Sequence, residues 1–215
     1  MDIDFSSLCL QVIPPWDGTS RRFIDQFIHV DFFDLTALVC VELETGKIPV
    51  PKATASDLEL SEGDLIMHAA QNMAKDFPAM LETSNGALQR LLTELEAEGI
   101  QRDDIPQVIL DVCVGFVVTA DNGGDPAAVL FYPDILAKIA EKTFLEDYYI
   151  FFSSADELLV FPGTFPHAAE AITEIHTDIQ AKMKEDPDMI GKAYSDSIYH
   201  YAHGRVSMVI KKGKL

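Results

Sequence analysis

Residues 148–162, YYIFFSSADELLVFP, decide the fold class. The two apolar runs in this stretch, 148–152 and 158–161, are rich in the aromatic and aliphatic side chains that favour strands. The polar residues between them, 153–156, are typical of a turn. Two strands joined by so short a connection pair antiparallel, so the stretch predicts a β-hairpin.

Strand and helix signals alternate through the rest of the chain. Apolar runs predict strands at 8–13, 36–43, 108–119, 127–132 and 206–210. Asp-Asn-Gly-Gly at 121–124 is a turn signal, so 108–119 and 127–132 are expected to form a second hairpin. The proline-containing segment 47–55 predicts a loop or an edge segment. Apolar residues at helical spacing predict four helices, which follow Ser61, Ser84, Pro133 and Pro166.

This order of elements predicts an α+β fold with a mostly antiparallel sheet, hairpins and four helices. The first long helix has a start signal, because Ser61 and Asp64 have the spacing of a capping box. A chain of 215 residues buries roughly 70% of its unfolded surface and needs no metal or disulfide to hold a core. We expect one domain over 1–215, with two packed lobes that meet near residue 105 as the open alternative.

The charge of the chain bears on its partners. There are 35 acidic against 16 basic residues, a net charge of −19, which disfavours direct binding to nucleic acid or to an anionic membrane surface. Residues 54–104 carry eleven acidic and three basic side chains, whereas 205–215 carry four basic and no acidic ones. A solvated acidic face is expected, and a docking surface for a basic partner or a nucleic-acid mimic is the alternative.

Several features predict a cytoplasmic location. No apolar run approaches the roughly 18 residues of a membrane span, and Arg21 is the first basic residue, so the start lacks the pattern of a secretory signal. The three cysteines, Cys9, Cys40 and Cys113, each lie in an apolar stretch. We interpret them as buried reduced thiols, since their spacing matches neither a zinc site nor a disulfide framework.

The sequence predicts no cofactor and no metal. Neither the phosphate-binding loop signature nor the glycine-rich dinucleotide fingerprint is present, and the serine elbow of hydrolases is missing. His200 and His203 are three residues apart, but that spacing alone is a weak metal signal. His29 and Asp31 are weaker candidates still.

Candidate site residues cluster in two segments. The first is the turn with Ser153, Ser154, Asp156 and Glu157, and the second holds Ser195 and Asp196. In the functional interpretation a serine is the nucleophile and Glu157 is a base or metal ligand, although a serine needs an adjacent base to react. In the structural interpretation, which we favour, these side chains satisfy backbone amides of turns and helix ends.

Four segments resemble an uncharacterised bacterial family known only as a domain of unknown function. The family's Ser-Glu-x-x-Leu helix, followed by Ala-x-x-Asn and Phe-Pro, is matched by Ser61, Glu62, Leu65, Ala69, Asn72, Phe77 and Pro78. Its Gly-Ala strand and the following helix resemble 127–149, with Pro126-Ala127 in place of Gly-Ala. Its Pro-Ser-Ser-x-His-Glu turn resembles 152–157, and its Leu-Ser-Asp-x-x-Tyr-x-Tyr segment is matched by Tyr194, Ser195, Asp196, Tyr199 and Tyr201. Phe152 replaces the proline and Asp156 the histidine, which weakens the match at the turn.

The resemblance implies no activity, since none is established for the family. From the residues we favour a cytoplasmic acidic binding or interaction protein without catalytic activity, whose partner is a protein or a small molecule. The first alternative is a hydrolase-like enzyme with its site at the 153–157 turn. The second is an acidic nucleic-acid mimic or inhibitor.

Overall fold

The structure, a computed structural model, describes residues 4–14, 18–97, 115–164, 167–185 and 194–209. The chain forms two compact units: unit 1 is Met1–Ala79 with Ala120–Leu136, and unit 2 is Met80–Thr119 with Ala137–Leu215. Antiparallel sheets and helices confirm the α+β class. Position 105, where the sequence allows two lobes to meet, lies outside the described residues.

The strands and helices have the following bounds. The strands are β1 Leu8–Ile13, β2 His29–Phe32, β3 Leu35–Leu43, β4 Gly46–Pro49, β5 Ala79–Thr83, β6 Phe116–Ala120, β7 Asp147–Phe152, β8 Leu158–Pro162, β9 Ile198–Ala202 and β10 Arg205–Val209. The helices are α1 Arg21–Ile24, α2 Lys52–Asp57, α3 Glu62–Asp76, α4 Ser84–Ala97, α5 Pro126–Val129, α6 Ile135–Thr143 and α7 Ala168–Glu185. Short 3-10 turns span Phe5–Ser7 and Asp121–Gly123.

Unit 1 is built on a four-stranded antiparallel sheet. Strand β3 pairs with β1 along one side, and β2 and β4 share its other side. Helix α3 packs on β1, and its buried face consists of Leu65, Ala69, Ala70 and Met73. The predicted capping box starts this helix, because Ser61 Oγ accepts from the Asp64 amide while the Asp64 carboxylate accepts from the Ser61 amide.

Unit 2 is built on a six-stranded sheet of order β10-β9-β7-β8-β6-β5. The hairpin predicted from 148–162 is β7–β8, with Phe152 opposite Leu158. Strand β9 pairs antiparallel with the other side of β7 and continues through a two-residue turn into β10. Helix α7 lies on the face that carries Phe151, whose ring meets the His176 ring edge-on at 5.1 Å.

Three parts of the sequence prediction differ from the structure. Residues 127–132 do not form a strand: Pro126–Val129 is helix α5, capped by the Asp125 carboxylate, and β6 pairs with β8 instead. Segment 47–55 contributes edge strand β4, but its last residues belong to helix α2. Seven α-helices lie in the described ranges rather than four, because the sequence prediction missed the short α1, α2 and α5.

The helices also bear on membrane insertion. Among those that the structure describes, every one is too short or too polar to cross a bilayer.

Candidate functional site

The turn between β7 and β8 places Ser153 and Glu157 side by side. The Ser153 hydroxyl donates to Glu157 Oε1 at 2.6 Å, and the Ser153 amide donates to the Glu157 carbonyl at 3.3 Å. Ser153 is only 8% exposed. Since its hydroxyl and its amide both bond to Glu157, this pair closes the five-residue loop between the two strands.

Ser154 and Asp156 organise the tip of the same loop. Ser154 Oγ accepts from the Asp156 amide at 3.0 Å, the geometry of a serine turn. Asp156 itself is exposed. The hydroxyl of Ser154 therefore satisfies backbone, while the carboxylate that stands in place of the family pattern's histidine faces solvent.

Ser195 repeats this arrangement before strand β9. Its Oγ accepts from the Ser197 amide at 2.9 Å, and the residue is 1% exposed. Asp196 is exposed. Ser195 thus shapes the turn that leads into β9.

The two candidate segments lie at one end of the sheet of unit 2. Strands β7 and β9 are antiparallel, with Ile150 opposite Tyr199, so the residues after β7 lie beside the residues before β9. The rings of Phe152 and Tyr194 confirm this proximity, with centroids 5.8 Å apart. The structure therefore brings the two segments to the same end of the sheet. The serine hydroxyls described above form their hydrogen bonds within their own turns.

A carboxylate–imidazole pair that sequence reasoning missed lies at the other end of β7. Nε2 of His200 is 2.8 Å from Asp147 Oδ1, and the His200 ring stacks on Tyr149 with centroids 4.4 Å apart. A Cβ at Gly163 would collide with the Asp147 carboxylate, so glycine makes room for this orientation. Burial, and then the charges of Asp147 and Glu170, raise the pKa of the Tyr149 hydroxyl.

The Asp147–His200 pair is partly exposed to solvent. The side chains of His200 and Asp147 are 25% and 32% exposed. His203, the other half of the spacing singled out in the sequence, instead lies 4.0 Å from the Glu146 carboxylate. Across the ranges that the structure describes, no group of three or more His, Cys, Asp and Glu side chains is arranged to hold a metal ion.

His29 and Asp31, the weaker candidates of unit 1, belong to an ion-pair network. Arg21 donates to both oxygens of Asp31 at 2.9 Å, and the same guanidinium lies 2.9 Å from His29 Nε2. Because His29 Nδ1 faces the Phe27 carbonyl, Nδ1 carries the proton and Nε2 accepts from Arg21. The hydrogen bonds from Arg21 hold the pKa of Asp31 below its ordinary value, and Thr36 adds a further donor.

A family model matches residues 7–203, and its description is a family of unknown function, DUF5688. The chain belongs to this family. Comparison with curated proteins and comparison with solved structures gave no significant match.

Membership of DUF5688 confirms the resemblance to an uncharacterised family. The match includes both candidate segments, the Asp147–His200 pair and the network around Arg21, and it ends at the turn before β10. Since DUF5688 has no assigned activity, the roles of these residues rest on the geometry of this chain.

Proposed function

We propose that this chain is a non-catalytic binding protein that recognises an extended segment of a protein partner along strand β10. The observation that carries the proposal is the position of β10 at the edge of the six-stranded sheet. Among the described strands, only β9 neighbours it. An edge strand presents unpaired backbone groups and accepts another strand by β-augmentation.

The backbone register supports this mode of binding. His203 and Gly204 form the two-residue turn with φ of 48° and 78°, and Ala202 lies opposite Arg205. In such a hairpin the closing pair is hydrogen-bonded and the pairs then alternate. Val206 and Met208 therefore direct their backbone N–H and C=O groups away from β9, towards an incoming strand.

The side chains of β10 lack the usual devices that block an edge. Natural edge strands are protected by proline, by a bulge or by several charges, of which lysine is the commonest. Strand β10 forms five uninterrupted pairs with β9, contains no proline and carries one charge, on Arg205. Val206, Met208 and Val209 are all partly exposed. They offer apolar contacts to the side chains of an added strand.

Charge indicates which partner segment suits this edge. Arg205 and the lysines among 211–215 give this end of the chain four positive and no negative charges, in a protein whose net charge is −19. Opposite charges at contact distance outweigh remote like charges, which salt screens beyond about 8–10 Å. An extended segment with acidic residues therefore complements β10 better than a basic one. The free thiols of Cys9 and Cys40 are consistent with a reducing compartment, and we place this activity in the cytoplasm.

Fluorescence anisotropy with labelled peptides tests the proposal. The probes are an extended valine- and threonine-rich peptide with glutamates at one end and a matched peptide with lysines. We expect the acidic peptide to bind roughly tenfold tighter, the equivalent of about 1.4 kcal/mol. Met208→Pro removes the outward N–H and abolishes binding, whereas Met208→Ala keeps the N–H and retains most of it.

Two results would overturn this assignment. Equal binding by Met208→Pro and by the unmodified chain shows that β10 is not the docking edge. A concentration-dependent dimer that Met208→Pro converts to monomer, without peptide binding, shows that the edge is occupied by a second copy of the chain.

The Ser153–Glu157 contact favours a second candidate function, a hydrolase-like enzyme. Its hydroxyl–carboxylate distance of 2.6 Å fits a proton transfer, but serine nucleophiles are most often activated by histidine. The imidazole held by Asp147 belongs to His200, which lies opposite Tyr149 on β7. Tyr149 is four residues from Ser153, or about 14 Å at roughly 3.4 Å per residue, which is too far for a hydrogen bond. Turnover of activated esters that Ser153→Ala abolishes and Ser154→Ala preserves would establish the enzyme instead.

A further inference from the structure

Cys9 and Cys40 lie opposite each other in the antiparallel pair β1–β3. Directly opposite residues project their side chains from the same face of a sheet. Both thiols are free and buried, with exposed fractions of 4% for Cys9 and 0% for Cys40. The two side chains therefore project from the same face of the sheet, where Cys40 Sγ also donates to Gln11 Oε1 at 3.7 Å. The wide separation of the two cysteines in the sequence conceals this relationship.

The backbone hydrogen bonds of Val39 show whether Cys9 and Cys40 form a hydrogen-bonded or a non-hydrogen-bonded pair of the antiparallel ladder. The Val39 amide donates to the Ile28 carbonyl at 2.9 Å, and the Val39 carbonyl accepts from the Val50 amide at 2.8 Å. Both polar groups of Val39 thus point away from β1, so Leu10 and Val39 form a non-hydrogen-bonded pair. Because pairs alternate along an antiparallel ladder, Cys9 and Cys40 form a hydrogen-bonded pair with a Cα–Cα distance of about 5.5 Å.

That Cα–Cα distance lies within the range of disulfides, but the Cβ atoms of a hydrogen-bonded pair are about 5.5 Å apart, so the two strands must shift locally to bring them to the roughly 3.8 Å of a disulfide. Disulfides span Cα–Cα distances of about 4.4–6.8 Å, most often about 5.5–6 Å. We propose that Cys9 and Cys40 form an oxidation site, a cross-strand dithiol that hydrogen peroxide converts into an intramolecular disulfide. The site is independent of strand β10, which lies in unit 2.

The reaction consumes one peroxide and produces two waters. The Cys9 thiolate attacks one peroxide oxygen, the O–O bond breaks, and the departing hydroxide takes a proton to become water. The Cys40 thiolate then attacks the sulfenic sulfur of Cys9, so that the S–S bond forms, the S–O bond breaks and a second water leaves. Two thiols lose two electrons in total, and the peroxide gains them.

Cys9 is the first thiol to react because its strand is easier to open. Among the described strands, β1 has only β3 as a neighbour, whereas β3 is paired along both sides. Burial raises the pKa of both thiols, and for Cys40 burial together with the nearby Cys9 raises the pKa to about 12. The closed state therefore reacts slowly, and oxidation proceeds when β1 separates transiently from β3.

The experiment uses the Cys113→Ser variant, in which Cys9 and Cys40 are the only cysteines. The protein is treated with hydrogen peroxide with and without sub-denaturing urea, then digested without reduction and analysed by mass spectrometry. We expect one peptide pair linked through Cys9 and Cys40, with a mass lower by two hydrogens and restored by dithiothreitol. The rate of linkage rises with pH from 6 to 8, because a thiol exposed by opening has an ordinary pKa of about 8.5 and its thiolate fraction grows through that window.

Cys113→Ser with Cys40→Ala is the matched control, and it stops at the Cys9 sulfenic acid, which a dimedone probe traps. Far-UV circular dichroism verifies that this control is folded. Sulfenic acids on both cysteines without a linked peptide pair, or disulfides only between chains, would overturn the proposal. The proposal also fails if neither buffer yields a linked product, because the urea arm supplies the opening that the closed state lacks.

Discussion

The side-chain amide of Asn72 donates to the backbone carbonyl of Leu8 at 3.0 Å, and so ties the middle of helix α3 to the first residue of β1. The same nitrogen donates to the Phe5 carbonyl at 2.7 Å. One amide therefore satisfies two carbonyls at the point where the chain enters the sheet of unit 1. Asn72 is one of the residues that match the family pattern, and this pair of bonds gives it a structural role.

Removing the Asn72 amide should destabilise unit 1. Asn72→Ala leaves two carbonyls without this donor and should lower the free energy of unfolding by about 1–3 kcal/mol. Asn72→Asp should cost more, since it places a carboxylate against two carbonyl oxygens at nearly the same volume. Urea unfolding followed by circular dichroism measures both, and a loss below about 0.5 kcal/mol for Asn72→Ala would refute the role.

The N-terminus of α3 offers a second, independent test. Ser61→Ala removes the oxygen that accepts from the Asp64 amide at 3.1 Å, and it should cost about 1 kcal/mol of stability. Ser61→Thr keeps the hydroxyl and should cost much less. Ser56→Ala, an exposed position in α2, is the control and should stay within about 0.5 kcal/mol of the parent. Equal losses at Ser61 and Ser56 would mean that the capping box contributes nothing.

The contribution of the Arg21–Asp31 pair to the stability of the fold should depend on pH. Arg21 lowers the pKa of Asp31 below its ordinary value of 3.8, so the pair contributes stability above that value. The contribution is lost as pH falls through the lower pKa of the folded state. Since the two side chains are 55% and 42% exposed, it should not exceed about 1 kcal/mol.

The measurement for this pair compares the parent chain with Asp31→Asn at several pH values. The parent should be the more stable near pH 6, and the two urea midpoints should converge below pH 4. High salt should shrink the difference, because exposed charges are screened. A difference that grows towards low pH would contradict the assigned direction of the shift.

Local signals explain which elements could be predicted from the sequence. Strand β1 has the predicted bounds because Pro14 ends an apolar run, and α3 begins directly after Ser61 because its capping box is encoded within four residues. The prediction fails at 127–130 because all four residues are buried, so no exposed positions mark a helical or a strand period. Short helices such as α1 have too few residues to show any period.

The candidate site likewise contains contacts that the sequence could predict and contacts that it could not. Ser153 and Glu157 are four residues apart, so their contact follows from the turn that the polar residues 153–156 predict. Asp147 and His200 are separated by 53 positions and meet only because β9 pairs with β7 in one particular register. Cys9 and Cys40 lie opposite each other for the same reason. The register between strands that are distant in the sequence depends on packing throughout a unit, so no local signal in the sequence reveals which residues it places opposite each other.

A substitution at Gly163, which lies against the Asp147 carboxylate, tests the Asp147–His200 pair. A methyl group at 163 would occupy the space of the Asp147 carboxylate, so Gly163→Ala should displace that carboxylate and break its 2.8 Å bond to His200. We expect a loss of about 1–3 kcal/mol in the free energy of unfolding. In an Asp147→Ala background the two side-chain atoms that collide are gone and the nearest of the three atoms becomes the backbone carbon of residue 147 at 3.3 Å, so the same change should cost less than half as much. This double-mutant cycle isolates the interaction, because a purely backbone effect of alanine at 163 would be equal in both backgrounds.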